Sequence, residues 1–471
     1  MLKGESVMKP LCNQLDKSEG DINISEMRAV FQESYLSDAS KKVVINDEKV
    51  FLRQALSSPC IDALKSAEGI YIETISGHKM MDFHGNNVHQ VGFKNPYVVE
   101  AVIKQMEILP FCSRRYTNEP SIELANYLTT IAPGDLNKVL FAPAASLSIG
   151  MALKLARKIT GKFKTISLWD AFHGASLDAI SIGGEYAFKK DMGPMMTGCE
   201  HVMGMNTYRC PFGSCEGCQL KCLVYLEHVL EKQRDVGAII IETIRNTDVQ
   251  IPWKEYLQGV RKLCDKYGAL LILDETAIAF GRTGKNFAFE HYDIVPDMVV
   301  VGKGLGGGIF PISALIVKEK FDVCGDISLG HYTHEKSPVG AAASLAMFRY
   351  IEEYHLLENS ANLGAYLKER FETLKERCSI IGDVRGLGLL IGVELVTCRD
   401  LKVKAVDQAE RIMYACMEKG VNFKVSQGNV LTLSPALIIN KEEIDTAYKI
   451  LEECILVEEK KLIEEIRNGK N

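Results

Sequence analysis

An α/β fold with a mostly parallel sheet is the class this sequence predicts, and three observations lead to it. Short apolar runs such as Ala269-Leu270-Leu271-Ile272-Leu273 and Met298-Val299-Val300-Val301 are bounded by polar or glycine signals. Runs of this length and composition read as strands buried on both faces of a sheet. From about residue 97 to 345 such runs alternate with helical segments, the pattern of a parallel sheet wrapped by helices. At 471 residues the chain is too long for one core, so a second, smaller unit is expected.

Taken in order, residues 1–20 are polar and predict a tail. The segment 21–96 opens with a mixed-charge helical stretch reaching about residue 66. It closes with a hairpin in which Ile70–Thr74 and Lys79–Phe83 flank Ser76-Gly77-His78. Residues 97–345 form the large unit, with strands expected at Lys138–Ala142, Lys164–Trp169, Ala238–Glu242, Ala269–Asp274, Met298–Gly302 and Ser313–Val317. From 346 to 471 the pattern changes to long amphipathic helices around Gly388–Leu395, predicting a small α+β unit that the N-terminal hairpin completes. The run Glu458-Glu459-Lys460-Lys461 reads as a solvated helix face.

Composition excludes several classes. A net charge of −6 with both signs interspersed argues against a nucleic-acid partner. No apolar run approaches the ~18 residues that span a bilayer, and no secretory signal opens the chain. Fourteen cysteines in a chain of this kind read as reduced thiols, and the cytoplasm is the expected compartment.

The chemistry gathers at strand ends. Lys303 closes one apolar run amid five glycines, and Asp274-Glu275 closes another, 29 positions earlier. Parallel strands carry such ends to one rim, where open sheets place ligands. A buried carboxylate facing a ring nitrogen, beside a lysine able to form an imine, is what pyridoxal phosphate (PLP) chemistry requires. Asp274 would keep the pyridine nitrogen protonated; Lys303 would form the imine and then shuttle a proton. Taken singly, each has a structural reading, a strand-capping lysine and a loop-opening acid. Phe141-Ala142-Pro143-Ala144-Ala145-Ser146 leads from a strand into a helix, so Ala145 and Ser146 offer either an anion site or an ordinary helix cap. Phe172, followed by His173, could stack on a flat cofactor or fill the core, and Glu242 ends a strand in reach of the same rim. Arg282 reads as a loop-fixing residue. Cys210, Cys215, Cys218 and Cys222, spaced C-x4-C-x2-C-x3-C, could hold a structural zinc, or less readily an iron–sulfur cluster, or stay free thiols.

These residues resemble the class III aminotransferases, fold-type I PLP enzymes, from about residue 65 to 455. The motifs carrying the likeness are Asp274-Glu275 with Phe280-Gly281-Arg282-Thr283-Gly284, Gly302-Lys303-Gly304, Thr333 five positions before Pro338, and Val384-Arg385-Gly386-Leu387-Gly388-Leu389. The resemblance implies a seven-stranded-type large domain and a smaller α+β domain formed by both termini. It also implies a PLP imine on Lys303 and a homodimer in which Thr333 reaches the neighbouring subunit's cofactor phosphate. Four positions depart from the family pattern: Ala145 stands where glycine is usual, Thr243 where proline is, and Thr276-Ala277 where valine and glutamine contact the ring. Thr432 replaces the arginine with which members directed at amino acids often clamp a carboxylate.

Arg114 and Arg115, with Lys424, are candidate seats for a substrate anion, although the arginine pair could equally brace a dimer. These stretches, with His84–Gln90, resemble a branch of the family that acts on 1-hydroxy-2-aminoethylphosphonate as an ammonia-lyase. The expectation is therefore a PLP enzyme acting on a small anionic primary amine, by elimination or, alternatively, by transamination to a keto acid. A non-catalytic family member is the third reading, against which the pairing of Lys303 with Asp274 argues.

Overall fold

The computed structural model describes residues 25–54, 57–58, 60–213 and 217–468; the N-terminal tail expected at 1–20 lies outside them. A seven-stranded sheet runs in the order Leu136–Ala142, Ser313–Lys318, Met298–Val301, Leu270–Asp274, Val236–Glu242, Lys164–Leu168, Cys199–Val202. Ser313–Lys318 is antiparallel to both of its neighbours, and every other pairing is parallel. All six expected strands are present to within two residues. Cys199–Val202 is an addition: it sits at the sheet edge and carries no apolar run.

Alternation along the strands explains why the sheet is buried on both sides. Ile240, Ile272, Val300 and Leu315 pack with Ile149, Met151 and Leu153 of the helix Ala145–Thr160. Their neighbours Ile239, Ile241, Leu271, Leu273, Val299 and Val301 enter the opposite, larger core. A two-residue period thus feeds two layers from one strand. Helix ends follow local chemistry. Asn95 and Asn118 cap helices that open on or beside proline. Gly161 and Gly268 terminate theirs in the left-handed conformation.

The N-terminal region departs from expectation. The helices are Glu26–Tyr35 and Asp38–Val50, and the stretch expected to stay helical to about residue 66 instead enters a strand, Leu64–Glu68. This strand pairs with Tyr71–Thr74, which pairs with Lys79–Asp82. The C-terminal strand Val421–Asn422 joins Lys79–Asp82 in parallel, through Val421–Met81 and Asn422–Asp82. Ile381–Gly386, Ile391–Cys398, Val430–Leu433 and Lys424–Ser426 build a separate antiparallel sheet. The run 458–461 is a second correction, because Glu458 and Glu459 are buried. Glu458 meets Arg411 at 2.7 Å and Lys461 at 2.6 Å, and Glu459 accepts from the Ser379 hydroxyl at 2.7 Å. Partners distant in sequence turned an apparently solvated face inward.

Arg282 is fully buried and donates through Nη1 to the Leu389 carbonyl at 3.0 Å and to the Pro435 carbonyl. It pins the loop after Asp274 to the C-terminal region, as its sequence context suggested. Beside it, the helix Leu356–Arg377 approaches the turn at Gly388 so closely that a Cβ on Gly364 would run into the Gly388 carbonyl. Gly364→Ala is accordingly expected to destabilise the protein by roughly 1–3 kcal/mol, the range for overpacking, read as a lowered urea midpoint. An unchanged midpoint would show that the helix can shift at no cost.

Candidate active site

Strand register places the acids. Glu242 and Asp274 are direct neighbours on parallel strands, and Asp274 is in turn opposite Val300. Lys303 follows three residues later, so all three emerge at the carboxyl ends of adjacent strands, where open α/β sheets bind ligands. They line one cavity of about 290 Å³ together with Ala145, Ser146, Phe172, His173 and Thr276. Lys303 holds a left-handed backbone, φ 45°, which non-glycine residues seldom adopt and which tight packing must enforce. Gly304 stands so close to the Gln90 side chain that a Cβ would collide with it, so the turn after Lys303 is wedged from the N-terminal side.

The Asp274 carboxylate is buried at 6% exposure. Oδ2 accepts from His173 Nδ1 at 2.9 Å and Oδ1 from the Thr276 amide at 3.0 Å. Burial opposes its ionisation, but these partners hold its pKa below the usual aspartate value. A charge kept ionised at this depth suits a cationic partner in the cavity. Glu242 accepts from the Phe172 amide at 3.1 Å and the Asn246 amide at 3.4 Å; burial raises its pKa. Behind them, Glu275 accepts from Thr243 Oγ1 at 2.8 Å and from the Ala288 and Phe289 amides at 2.7 and 2.8 Å.

Another part of the cavity lining is the N-terminus of the 16-residue helix Ala145–Thr160. Ala144 occupies the cap position without a side-chain bond, so Ser146 is a first-turn residue and not the cap. The amides of Leu147 and Ser148 turn back to the Ala144 carbonyl, and the earlier ones, Ala145 and Ser146, belong to residues lining the cavity. A helix start of this kind binds anions through amides and dipole. Gly174 packs against Ser146 with no room for a Cβ. The Ala145 methyl is accommodated because position 302 is glycine: a Cβ there would stand 3.2 Å away. Phe172 lines the cavity with its ring tilted against Phe188, centroids 4.6 Å apart. A helix-start anion seat, a buried ionised aspartate and a lysine lining one cavity fit PLP. His173 Nε2 and Thr276 Oγ1 are also buried without partners.

Other expected residues fall elsewhere. Arg114 and Arg115 are exposed in the loop before the helix Glu119–Ile131. Lys424 is buried in the strand Lys424–Ser426. None of the three lines the cavity. Thr333 is exposed. Among the described residues no group of three or more His, Cys, Asp or Glu side chains is arranged to hold a metal. Cys215, one of the four expected ligands, lies outside the described residues. Burial lifts the Cys222 thiol to about 11. Residues not singled out from the sequence also line the cavity, among them Ile244, Asn246 and Thr247. Asn246 lines the cavity, and its Oδ1 accepts from Asn87 Nδ2 at 2.7 Å. Asn246 lies four residues beyond the strand-ending Glu242, and the strand-end rule extended past Glu242 would have found it. Asn87 lies within the quoted His84–Gln90 stretch.

Residues 55–455 match the family described as aminotransferase class-III. The chain is 48% identical to (R)-1-hydroxy-2-aminoethylphosphonate ammonia-lyase of Vibrio splendidus, covering 93% of this chain and 95% of that protein. It is 33% identical to acetylornithine aminotransferase of Caldanaerobacter subterraneus, covering 88% and 99%. Among solved structures it superposes on taurine:2-oxoglutarate aminotransferase from Bifidobacterium kashiwanohense, in complex with PLP and glutamate. That match has a TM-score of 0.84 at 26% identity and covers 90% and 99% of the two chains.

Glu275 supplies a pH test. Burial outweighs its three hydrogen bonds and lifts its pKa from 4.5 to about 7. The folded protein then keeps a proton that the unfolded chain has released, so this group's stabilising contribution is full below the lower value. It is lost as pH rises to the upper one. Glu275→Gln is expected to lower stability overall but to flatten that decline, measured as urea midpoints at about pH 5 and about pH 8. Equal slopes in the two proteins would refute the assignment.

Proposed function

This chain belongs to the class III aminotransferase family and is an enzyme of the PLP-dependent aminotransferase fold; within that family we propose that it is an ammonia-lyase acting on 1-hydroxy-2-aminoethylphosphonate or a close analogue. The convergence of Lys303 and ionised Asp274 on one cavity carries the catalytic reading. The similarity to an ammonia-lyase of that specificity, over most of both chains, carries the choice of substrate. PLP when bound supplies an electron sink for the carbon that bears the amine.

The chain's residues divide the remaining work. Asp274, held by His173 and Thr276, would pair with the protonated ring nitrogen, and the amides of Ala145 and Ser146 would receive the phosphate. Lys303 removes the proton from the amine-bearing carbon. With a hydroxyl on the neighbouring carbon, water is lost and later taken up again. The sum is an aldehyde and ammonia, with no keto acid consumed. Asn246 directs its Oδ1 to Asn87, which leaves its side-chain N–H groups to offer to a phosphonate oxygen. Thr432, where a carboxylate-clamping arginine would stand, spends its hydroxyl on the Thr247 carbonyl at 2.8 Å. That exchange suits a substrate without a carboxylate.

Transamination is the second reading, favoured by the likeness to acetylornithine aminotransferase. We place a homodimer contact on the face bearing Thr333, Phe111 and Tyr116, all exposed; Arg114 and Arg115 belong to the same edge.

The purified enzyme, given 1-hydroxy-2-aminoethylphosphonate without a keto acid, is expected to release ammonia steadily while its visible absorbance band persists. A band that bleaches once, with no continuing ammonia, would instead establish transamination. Lys303→Ala should cut the rate at least about a thousandfold. Asn246→Ala should raise KM roughly tenfold with little change in kcat, the signature of lost ground-state binding.

A further inference from the structure

A second cavity, of about 240 Å³, shares Glu242 with the catalytic one. Its sides come from two sheets: Leu168 and Ile241 at the ends of the seven-stranded one, Glu394 and Val430 from the C-terminal one. Seven charged side chains line it: Arg209, Arg245, Lys404, Asp170, Glu242, Asp248 and Glu394. Most of this charge is already matched. Arg245 is saturated by the Asp170 carbonyl at 2.6 Å, by Glu185 at 2.7 Å and by Asp248. Glu394 is taken by Arg209 Nε, by Arg385 at 2.8 Å and by Asn429 at 3.4 Å. Glu242 receives the Phe172 and Asn246 amides on the catalytic side.

The groups left over are two carboxylates, Asp170 and Glu242, and three donors. The Lys404 ammonium donates to the Gln427 carbonyl at 2.9 Å and has no carboxylate within ion-pair distance among the described residues. Burial and the neighbouring Arg209 lower its pKa more than Glu394, Asp248 and Asp170 raise it, so a directly bound anion would still relieve a cost. Arg209 keeps Nη2 buried without a partner, and Tyr256, 1% exposed, keeps its hydroxyl likewise. The segment that supplies Asp248 and Gln250 to the lining is stiff. Val249 is held at φ 56°, unusual for a β-branched residue, with its carbonyl gripped by Arg385 Nε at 2.8 Å.

We infer that this cavity is a second anion site, in which Lys404, Arg209 and Tyr256 receive a small tetrahedral oxyanion, as inorganic phosphate or as a carbon-bound phosphonate. An ammonium, a guanidinium and a phenol offer separate donors that three oxygens of one such ion can share, and charge-assisted bonds of this type are the strong ones. Asp170 and Glu242 line the cavity without an ion-pairing cation among the described residues, and they disfavour a ligand larger than the ion itself. The site adjoins the catalytic cavity through Glu242 yet does not depend on which reaction is catalysed there.

The test is calorimetric titration of the PLP-loaded enzyme with inorganic phosphate, in phosphate-free buffer and without substrate. Lys404→Met is expected to weaken binding about tenfold or more, Lys404→Arg to retain it, and Tyr256→Phe to weaken it a few-fold; melting temperatures establish that each variant is folded. Binding that survives Lys404→Met but falls on Asn246→Ala would put the ion in the catalytic cavity and overturn the proposal, as would no binding at all. Methylphosphonate distinguishes the sources. Lys404-dependent binding of both compounds supports a seat open to a carbon-bound headgroup, and binding of phosphate alone supports a seat for the free ion. Because no turnover is measured, failure of the lyase reading leaves this result intact.

Discussion

A carboxylate buried at the end of a central strand sets the terms for everything around it. Asp274 sits where an isolated charge would be costly, and two nearby donors keep it ionised: His173 Nδ1 and the Thr276 amide. Meeting that demand decides where other elements go. His173 reaches it only if the segment after Lys164–Leu168 turns over the sheet end, and Thr276 only if the chain turns immediately after Asp274. The next residue repeats the problem one layer deeper. Glu275 is wholly buried and takes three donors from two separate segments. The strand end is thus a paired stack of acids whose partners tie the strand Val236–Glu242 and the turn at Ala288 to one point.

The departures from the family pattern are legible as exchanges within this frame. Proline has no hydroxyl to give, whereas Thr243 supplies one to Glu275. The extra methyl at Ala145 is tolerated because its neighbour across the sheet, Gly302, has no side chain. Thr432 replaces a long cation with a short hydroxyl and uses it on the Thr247 backbone, removing a carboxylate clamp without leaving an unpaired group. In each case a local substitution is matched by a partner distant in sequence.

Strain marks the same places. Lys303 and Val249 both hold left-handed backbones, and each is gripped by residues from another part of the chain, Gln90 against the turn after Lys303 and Arg385 on the Val249 carbonyl. Such conformations persist only where the surroundings over-determine them. Lys303 lines one cavity and Val249 stands between Asp248 and Gln250, which line another, and there an enforced geometry has a use.

By itself the sequence determined the class of fold, the strands that bear the chemistry and the pair Lys303–Asp274. These depend on local properties: a two-residue period, the length of an apolar run, and the chemical type of the residue that ends it. Strands without an apolar run escaped notice. Cys199–Val202 lies at a sheet edge, and Leu64–Glu68 is mostly exposed. The burial of Glu458 and Glu459 was also hidden, because it depends on Arg411 and Ser379, distant in the chain. Only the tertiary structure brought Asn87 to Asn246 across 159 positions, set Lys424 and the arginine pair apart from the cavity, and gathered Arg209, Tyr256 and Lys404 around another. Contacts of this kind are fixed by the packing of whole elements, and no local pattern in the chain encodes which distant side chains will meet.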